Sequence, residues 1–265
     1  MSRTLSHEQI LELAATLDAA RARAEGVTKV TDDYPDMSWA DAYAVQDALQ
    51  TLAEERGEQV VALKMGLTSR AKMRQMGVES PIRGFLTDAH WVPEGEAIAV
   101  QGHLIHPKVE PELAFITRSE LRGPGVTRAQ ALDAIGSVVP ALEIIDSRYE
   151  NFRFDLKSVI ADNTSAARYV TGSASAVPSE LNLRAMGLVF EKNGELVATG
   201  AGAAVLGHPA DSLAELANML SEVGRSVPAG TMVLTGGITA AVRVHKGDVV
   251  TARFQGLGSL SVRFC

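Results

Sequence analysis

Residues 106–115 read His106-Pro107-Lys108-Val109-Glu110-Pro111-Glu112-Leu113-Ala114-Phe115, an apolar, strand-like run that holds two carboxylates. Successive side chains of a strand alternate faces, so Glu110 and Glu112 point one way while Val109, Pro111 and Leu113 point the other. A second apolar run, Val138-Val139-Pro140-Ala141-Leu142-Glu143-Ile144-Ile145, holds one more, and Glu143 is the only charge between Asp133 and Asp146. A buried carboxylate without a partner takes up a proton rather than stay charged, so three glutamates in two core-like strands call for a shared counter-ion. Oxygen ligands with no cysteine or histidine at ligand spacing suit Mg2+, or Mn2+, better than zinc. The plainer alternative is that the glutamates lie on solvated strand faces. The aliphatic flanks of Glu143 favour the metal.

Working outward, the 265 residues are 46% hydrophobic, enough for a substantial core, and the formal charge of −7 argues against a nucleic-acid surface. The single cysteine, Cys265, has no internal disulfide partner. The first residues lack the apolar core of a signal peptide and no run approaches membrane-spanning length, so a cytoplasmic protein with no membrane contact is expected.

Upstream, Ser6 with Gln9 forms a capping box and Leu5 with Ile10 a hydrophobic staple, predicting a helix from His7 into the low twenties. Ser38 caps a second helix that stops at Gly57, with a linker over residues 27–37. Residues 1–57 are thus expected to form a helical scaffold or oligomer contact, and residues 58–265 a second, strand-rich domain. The run Val60-Val61-Ala62-Leu63-Lys64-Met65 reads as a strand whose lysine either snorkels to the surface or serves a site. The turn Gly66-Leu67-Thr68-Ser69 leads into a helix over residues 70–76 stopped by Gly77, whose N-terminus would attract an anion. Residues 84–100 look like loop and short strand. His103 and His106 are placed in a turn rather than at a metal.

Downstream, Thr127 caps a helix ending at Gly136, and the polar 146–151 segment is either a solvated loop or the border of a site. The short polar side chains of 161–165 suit a substrate-contacting turn. Asn193-Gly194 signals a hairpin, and a helix is expected over 211–223, followed by strands over 232–235, 248–254 and 259–264. Gly200-Ala201-Gly202 lacks the third glycine and the acidic residue of a nucleotide-binding fingerprint. Helices followed by many short strands make the chain α+β with a mixed or antiparallel sheet.

The Glu110-x-Glu112 run, Glu143, Lys64-Met65-Gly66-Leu67-Thr68-Ser69, Ile145-Asp146-Ser147-Arg148-Tyr149-Glu150-Asn151-Phe152, Leu206-Gly207-His208-Pro209 and Leu234-Thr235-Gly236-Gly237-Ile238-Thr239 together resemble the fumarylacetoacetate hydrolase superfamily. The resemblance runs nearly end to end and is closest to its metal-dependent decarboxylases and hydratases of aromatic meta-cleavage degradation. It implies a small N-terminal helical region followed by a mixed β-sandwich roll. It implies Lys64 as the catalytic cation, Glu110, Glu112 and Glu143 as metal ligands, and Leu67, Thr68, Asp162, Asn163, Ser165 and Thr235 as substrate contacts. The activity implied is decarboxylation of (3E)-2-oxohex-3-enedioate to 2-hydroxypenta-2,4-dienoate and CO2.

Three glutamates, one Mg2+ and Lys64 sum to zero charge, a balance suited to a 2-oxo acid. Arg70, Arg83 and Arg148 are the candidates for steering the distal carboxylate, with Arg70 and Arg83 ranked first as loop residues. In the hydratases this chain also resembles, an aspartate follows the proline of the segment that here reads Pro81-Ile82, so Ile82 speaks for decarboxylation. A hydratase or acylpyruvate hydrolase of the same fold is the alternative, and a non-enzymatic 2-oxo acid binder or partner subunit ranks lower. The resemblance also implies a homo-oligomer and a complex with 2-hydroxypentadienoate hydratase.

Overall fold

The computed structural model describes residues 3–70, 73–74, 78 and 80–265. The expected helix over 70–76 and its glycine stop lie largely outside the described residues. The chain opens with α1, His7–Arg23, whose Ser6–Gln9 capping box forms as the sequence predicts. The Ser38 box then opens α3, Trp39–Glu55. The intervening linker contains a further short helix, α2, Val30–Asp33.

Strands follow: β1 Val60–Gly66, β2 Ile82–Thr87, β3 Ala97–Ile98, β4 Lys108–Thr117, β5 Ile135–Ile145, β6 Ala166–Thr171, β7 Gly187–Lys192, β8 Glu195–Ala201, β9 Met232–Leu234, β10 Val242–Arg243, β11 Val249–Phe254 and β12 Gly258–Phe264. Helices α4, Arg128–Ala134, α5, Leu156–Ala161, and α6, Pro209–Ser221, are interposed. One sheet runs β2-β1-β9-β4-β5-β6 with β10 on β4, and the other runs β3-β12-β11-β7-β8. Most pairings are antiparallel, but β1 with β9 and β12 with β3 are parallel, so both sheets are mixed. The main core, with Phe115, Leu142, Phe190, Leu213, Leu260 and Phe264, fills the space bounded by both sheets and α6.

Two expectations are corrected. Residues 84–100, read as loop and short strand, begin inside β2, which starts earlier at Ile82 and is buried along its whole length and paired with β1. Its Gly84 and Arg83 hide the apolar signal, yet the β1 partner supplies the backbone bonds that a loop would have to find in water. Gly136, read as a helix stop, lies inside β5, because α4 ends at Ala134 and the chain enters the strand directly.

The hairpin at Asn193-Gly194 forms with both residues left-handed, at φ 54° and 81°. The helical N-terminus is joined to the rest by an apolar cluster in which Ile10, Leu17 and Val45 meet Ile82, Tyr149, Val159 and Ile160. Val27 also exchanges backbone hydrogen bonds with Arg148 and Glu150.

Candidate active site

The site is built on the β4–β5 pair. Their register sets Glu110 directly opposite Glu143 and Glu112 opposite Ala141, so the two-residue alternation of β4 puts all three carboxylates on one face. One oxygen from each lies within 4.8 Å of the others. Glu112 and Glu143 are fully buried. Glu112 Oε2 accepts a hydrogen bond from Gly236 N at 2.7 Å, while Glu112 Oε1 and Glu143 Oε2 take none. Burial, then the nearby charges of Glu143 and Glu110, push the Glu112 carboxyl well above its usual range, against the pull of Lys64 and the Gly236 amide. Orphaned, mutually repelling carboxylate oxygens in a dry setting are the donor set of a hard divalent cation, so these residues fit Mg2+.

Lys64 arrives from β1. Its Nζ lies 2.5 Å from Glu143 Oε1, a close ion pair, and donates to Thr164 O at 3.0 Å. In hydrogen-bond order β9 and β4 separate β1 from β5, a span of about 14 Å in a flat sheet. The contact therefore requires the sheet to roll, and the roll closes where β9 gives way to Thr235-Gly236-Gly237. Gly236 has φ +99°, and a Cβ there would stand 2.1 Å from Thr68 Oγ1, so the turn accepts only glycine.

Lys64 and Glu110 line a cavity of about 640 Å3, with Leu67, Thr68, Ile82, Lys108, Phe152, Phe154, Thr164, Ser165 and Gly237 among its other walls. Thr164 and Ser165 come from a run in which Asn163, Thr164 and Ser165 are all left-handed, at φ 45°, 52° and 58°. Three such residues without glycine mark a turn imposed by its surroundings. Gly84 leaves room for it, since a Cβ there would meet Thr164 Oγ1 at 2.6 Å and Asn163 Oδ1 at 2.8 Å.

The structure thus brings Lys64, the three glutamates, Leu67, Thr68 and Ser165 to one cavity or its floor. Three expected substrate contacts stand elsewhere. Asn163 sits behind the wall and ties down β2, accepting from Phe85 N and donating to Phe85 O. Asp162 is ion-paired with Arg148 and accepts from Arg148 N at 3.2 Å. Burial raises its carboxyl to about 6 against the pull of that arginine. Thr235 is fully buried and donates to Leu113 O at 3.0 Å, pinning the roll next to Glu112. Their short polar side chains meet other groups of the protein, backbone for Asn163 and Thr235 and Arg148 for Asp162, a placement that local sequence does not carry.

The arginines also differ from expectation. Arg83 is a strand residue stacked 4.4 Å from the Tyr43 ring centroid, so α3 contributes a partner to β2. Arg70 donates to Leu206 O, joining the 67–70 turn to Leu206-Gly207-His208-Pro209. The 146–149 segment is buried rather than a solvated loop, because the Arg148 guanidinium satisfies the carbonyls of Asp146 and Ala166 at 2.8 Å each. Lys108 was absent from the expected site although it shares the alternation of Glu110 and Glu112, a signal legible in the sequence.

Comparison with known proteins gives a consistent set. Residues 56–265 match the family model described as fumarylacetoacetate (FAA) hydrolase C-terminal. A 4-oxalocrotonate decarboxylase of Pseudomonas putida is 54% identical over 264 residues, covering all of both chains. A 2-hydroxyhexa-2,4-dienoate hydratase of Comamonas testosteroni is 35% identical, over 98% of this chain and 99% of its own. Among solved structures, 4-oxalocrotonate decarboxylase from Pseudomonas putida G7, complexed with magnesium and adipate, superposes with a TM-score of 0.97 at 53% identity over the whole of both chains.

Proposed function

This chain belongs to the fumarylacetoacetate hydrolase family, and we propose that it decarboxylates (3E)-2-oxohex-3-enedioate to 2-hydroxypenta-2,4-dienoate and CO2. The observation that carries the reading is the Glu110–Glu112–Glu143 cluster, ion-paired to Lys64 at the floor of a cavity with room for a small diacid. Glu110, Glu112 and Glu143 would hold Mg2+, or Mn2+ in its place, which supplies Lewis acidity toward the 2-oxo acid end of the substrate.

The chain's own groups do the rest. The distal carboxylate is vinylogous to that of a β-keto acid. As the C5–C6 bond breaks, its electron pair forms the C4–C5 double bond, the old C3–C4 pair moves to C2–C3, and negative charge develops on the 2-oxygen. Lys64 presents a fixed positive charge and a proton donor to that charge. Because Glu143 and Thr164 O already orient its ammonium, little reorganisation is needed during reaction. Ile82, Leu67, Phe152 and Phe154 give the cavity apolar walls. Thr68 and Ser165 bring hydroxyl groups to the wall.

The hydratase reading is favoured by the 35% identical relative. Against it stands Ile82, an apolar side chain on the wall where water addition would need a placed proton carrier. Supplying the diacid with Mg2+ and following CO2 and the dienol absorbance tests the assignment. Rapid hydration of 2-hydroxypenta-2,4-dienoate by the same protein, at a comparable rate, would replace it.

We also infer a division at residues 57 and 58 into helical region and catalytic domain, supported by the start of the family match at residue 56. A homo-oligomer and a complex with 2-hydroxypentadienoate hydratase in the cytoplasm are part of the same reading, to be checked by co-purification from cells expressing both. No helix among the described residues is long and apolar enough to cross a membrane.

A further inference from the structure

We propose that Arg148 is a positioning residue for Lys64, acting through the left-handed turn between α5 and β6, an inference that rests on the function proposed above. Lys64 is oriented by two acceptors, Glu143 and the Thr164 carbonyl, the latter 3.0 Å from Nζ. A carbonyl can hold an ammonium in place only if its own backbone is held. Thr164 is the middle one of three consecutive left-handed residues without glycine, a conformation that costs free energy and persists where the surrounding structure fixes it.

Arg148 fixes the turn from both ends. Its guanidinium Nε donates to Asp162 Oδ1 and its Nη2 to Asp162 O, where the turn begins. Nη1 donates to Asp146 O and to Ala166 O at 2.8 Å each, just past the end of β5 and at the start of β6. The Arg148 amide adds a bond to Asp162 Oδ2 at 3.2 Å. Two backbone bonds close the frame, Ser165 N to Asp162 O at 2.9 Å and Asp146 N to Ser165 O at 2.8 Å. Asp162, Ser165 and Ala166 are thereby anchored, and Thr164, held between the anchors, turns its carbonyl to Lys64.

The pairing of Arg148 with Asp162, both buried, does more than neutralise charge. A guanidinium is a planar fork with five donors, whereas an ammonium is a point charge with three. A lysine in this place would keep the charge opposite Asp162 but could not reach Asp162, Asp146 and Ala166 together. Arg148 lines a cavity of about 260 Å3 with Arg21, Asp146 and Arg168, separate from the cavity that Lys64 lines. Its influence on the reaction therefore passes through the turn and not through contact with substrate.

The test is a double-mutant cycle in the full-length Mg2+-loaded protein. Arg148→Lys should lower kcat by about ten- to hundredfold well below its Tm, the scale of a reacting group displaced by up to about 1 Å, while KM and the Mg2+-induced rise in Tm are kept. In the Lys64→Met background the same substitution should lower kcat by less than about twofold, because the group it positions is gone. If Arg148→Lys does not fold, Asp162→Asn, which keeps the size of the partner and removes its charge, takes its place in the cycle with the same expected non-additivity.

A second readout needs no turnover. The nitrogen NMR resonance of the Lys64 ammonium, identified by its loss in Lys64→Met, should shift in the Arg148 or Asp162 variant. Losses that multiply in the cycle, or a Lys64 resonance unmoved by the substitution, overturn the inference, since a purely structural arginine acts independently of Lys64. A shifted resonance in a protein whose wild type releases no CO2 would defeat the proposed function and leave Arg148 in its role.

Discussion

The starts of α1 and α3 and the cavity treat their polar groups in opposite ways. At the two helix starts they are answered: Ser6 and Gln9 cap α1, and Asp41 of α3 accepts from Ser38 N, Ser38 Oγ, Thr4 N, Thr4 Oγ1 and Leu5 N. At the cavity, carboxylate oxygens of Glu112 and Glu143 lie buried with no hydrogen bond, and residues 163–165 hold a left-handed turn without glycine. Local propensity and tertiary structure agree in the helices and disagree at the cavity. A fold tolerates such disagreement where a ligand or a reaction resolves it, so the contrast itself locates the site.

Mutations can break or sharpen that contrast. The largest effect is expected at Glu143. Glu143→Gln should abolish turnover and also the rise in Tm that Mg2+ gives the wild type, since an ion that binds only the folded state stabilises it by mass action. Wild-type turnover that survives exhaustive chelation, with elemental analysis finding no metal, would remove the metal centre altogether.

Next comes Lys64→Met, which should lower kcat by about a hundredfold, the scale of one preorganised group facing developing charge. An altered Tm with intact kcat would mean that Lys64 only neutralises Glu143.

Gly84→Ala should cost activity through geometry rather than charge, because its Cβ would collide with Thr164 and Asn163 and shift the turn that orients Lys64. Circular dichroism should keep the helical signal while kcat/KM falls. Unchanged kcat/KM would show that the left-handed turn yields without consequence.

The smallest effect belongs to the start of α3. Asp41→Asn should lower stability by about 1 kcal/mol, the scale of a lost helix cap, and leave kcat unchanged. Burial disfavours the Asp41 charge, yet hydrogen bonds from Ser38 and Thr4 hold its carboxyl well below the usual range. Its folded pKa is thus depressed, so the stabilisation is present above the unfolded value of about 4 and lost as pH falls toward the folded one. Denaturant midpoints across that window should converge for variant and wild type, and parallel curves would show that the carboxylate charge is irrelevant.

By itself the sequence determined what depends on near neighbours and on period. The capping box of Ser6, the caps at Ser38 and Thr127, the hairpin at Asn193-Gly194, and the shared face of Glu110 and Glu112 follow from spacings of two to four residues, where sequence distance and spatial distance are locked together. Glu143 stood out because a lone charge among aliphatics conflicts with burial. Tertiary structure alone decided the rest. The β4–β5 register set Glu143 opposite Glu110, and the roll of the sheet carried Lys64 to Glu143 across two intervening strands. Asp162, Asn163 and Thr235 were turned to support contacts by backbone groups of Arg148, Phe85 and Leu113 that lie far away in sequence or on other elements. Composition leaves such assignments open, because a short polar side chain serves a buried amide or carbonyl as readily as a ligand, and the choice falls to whichever group the fold brings within hydrogen-bonding distance.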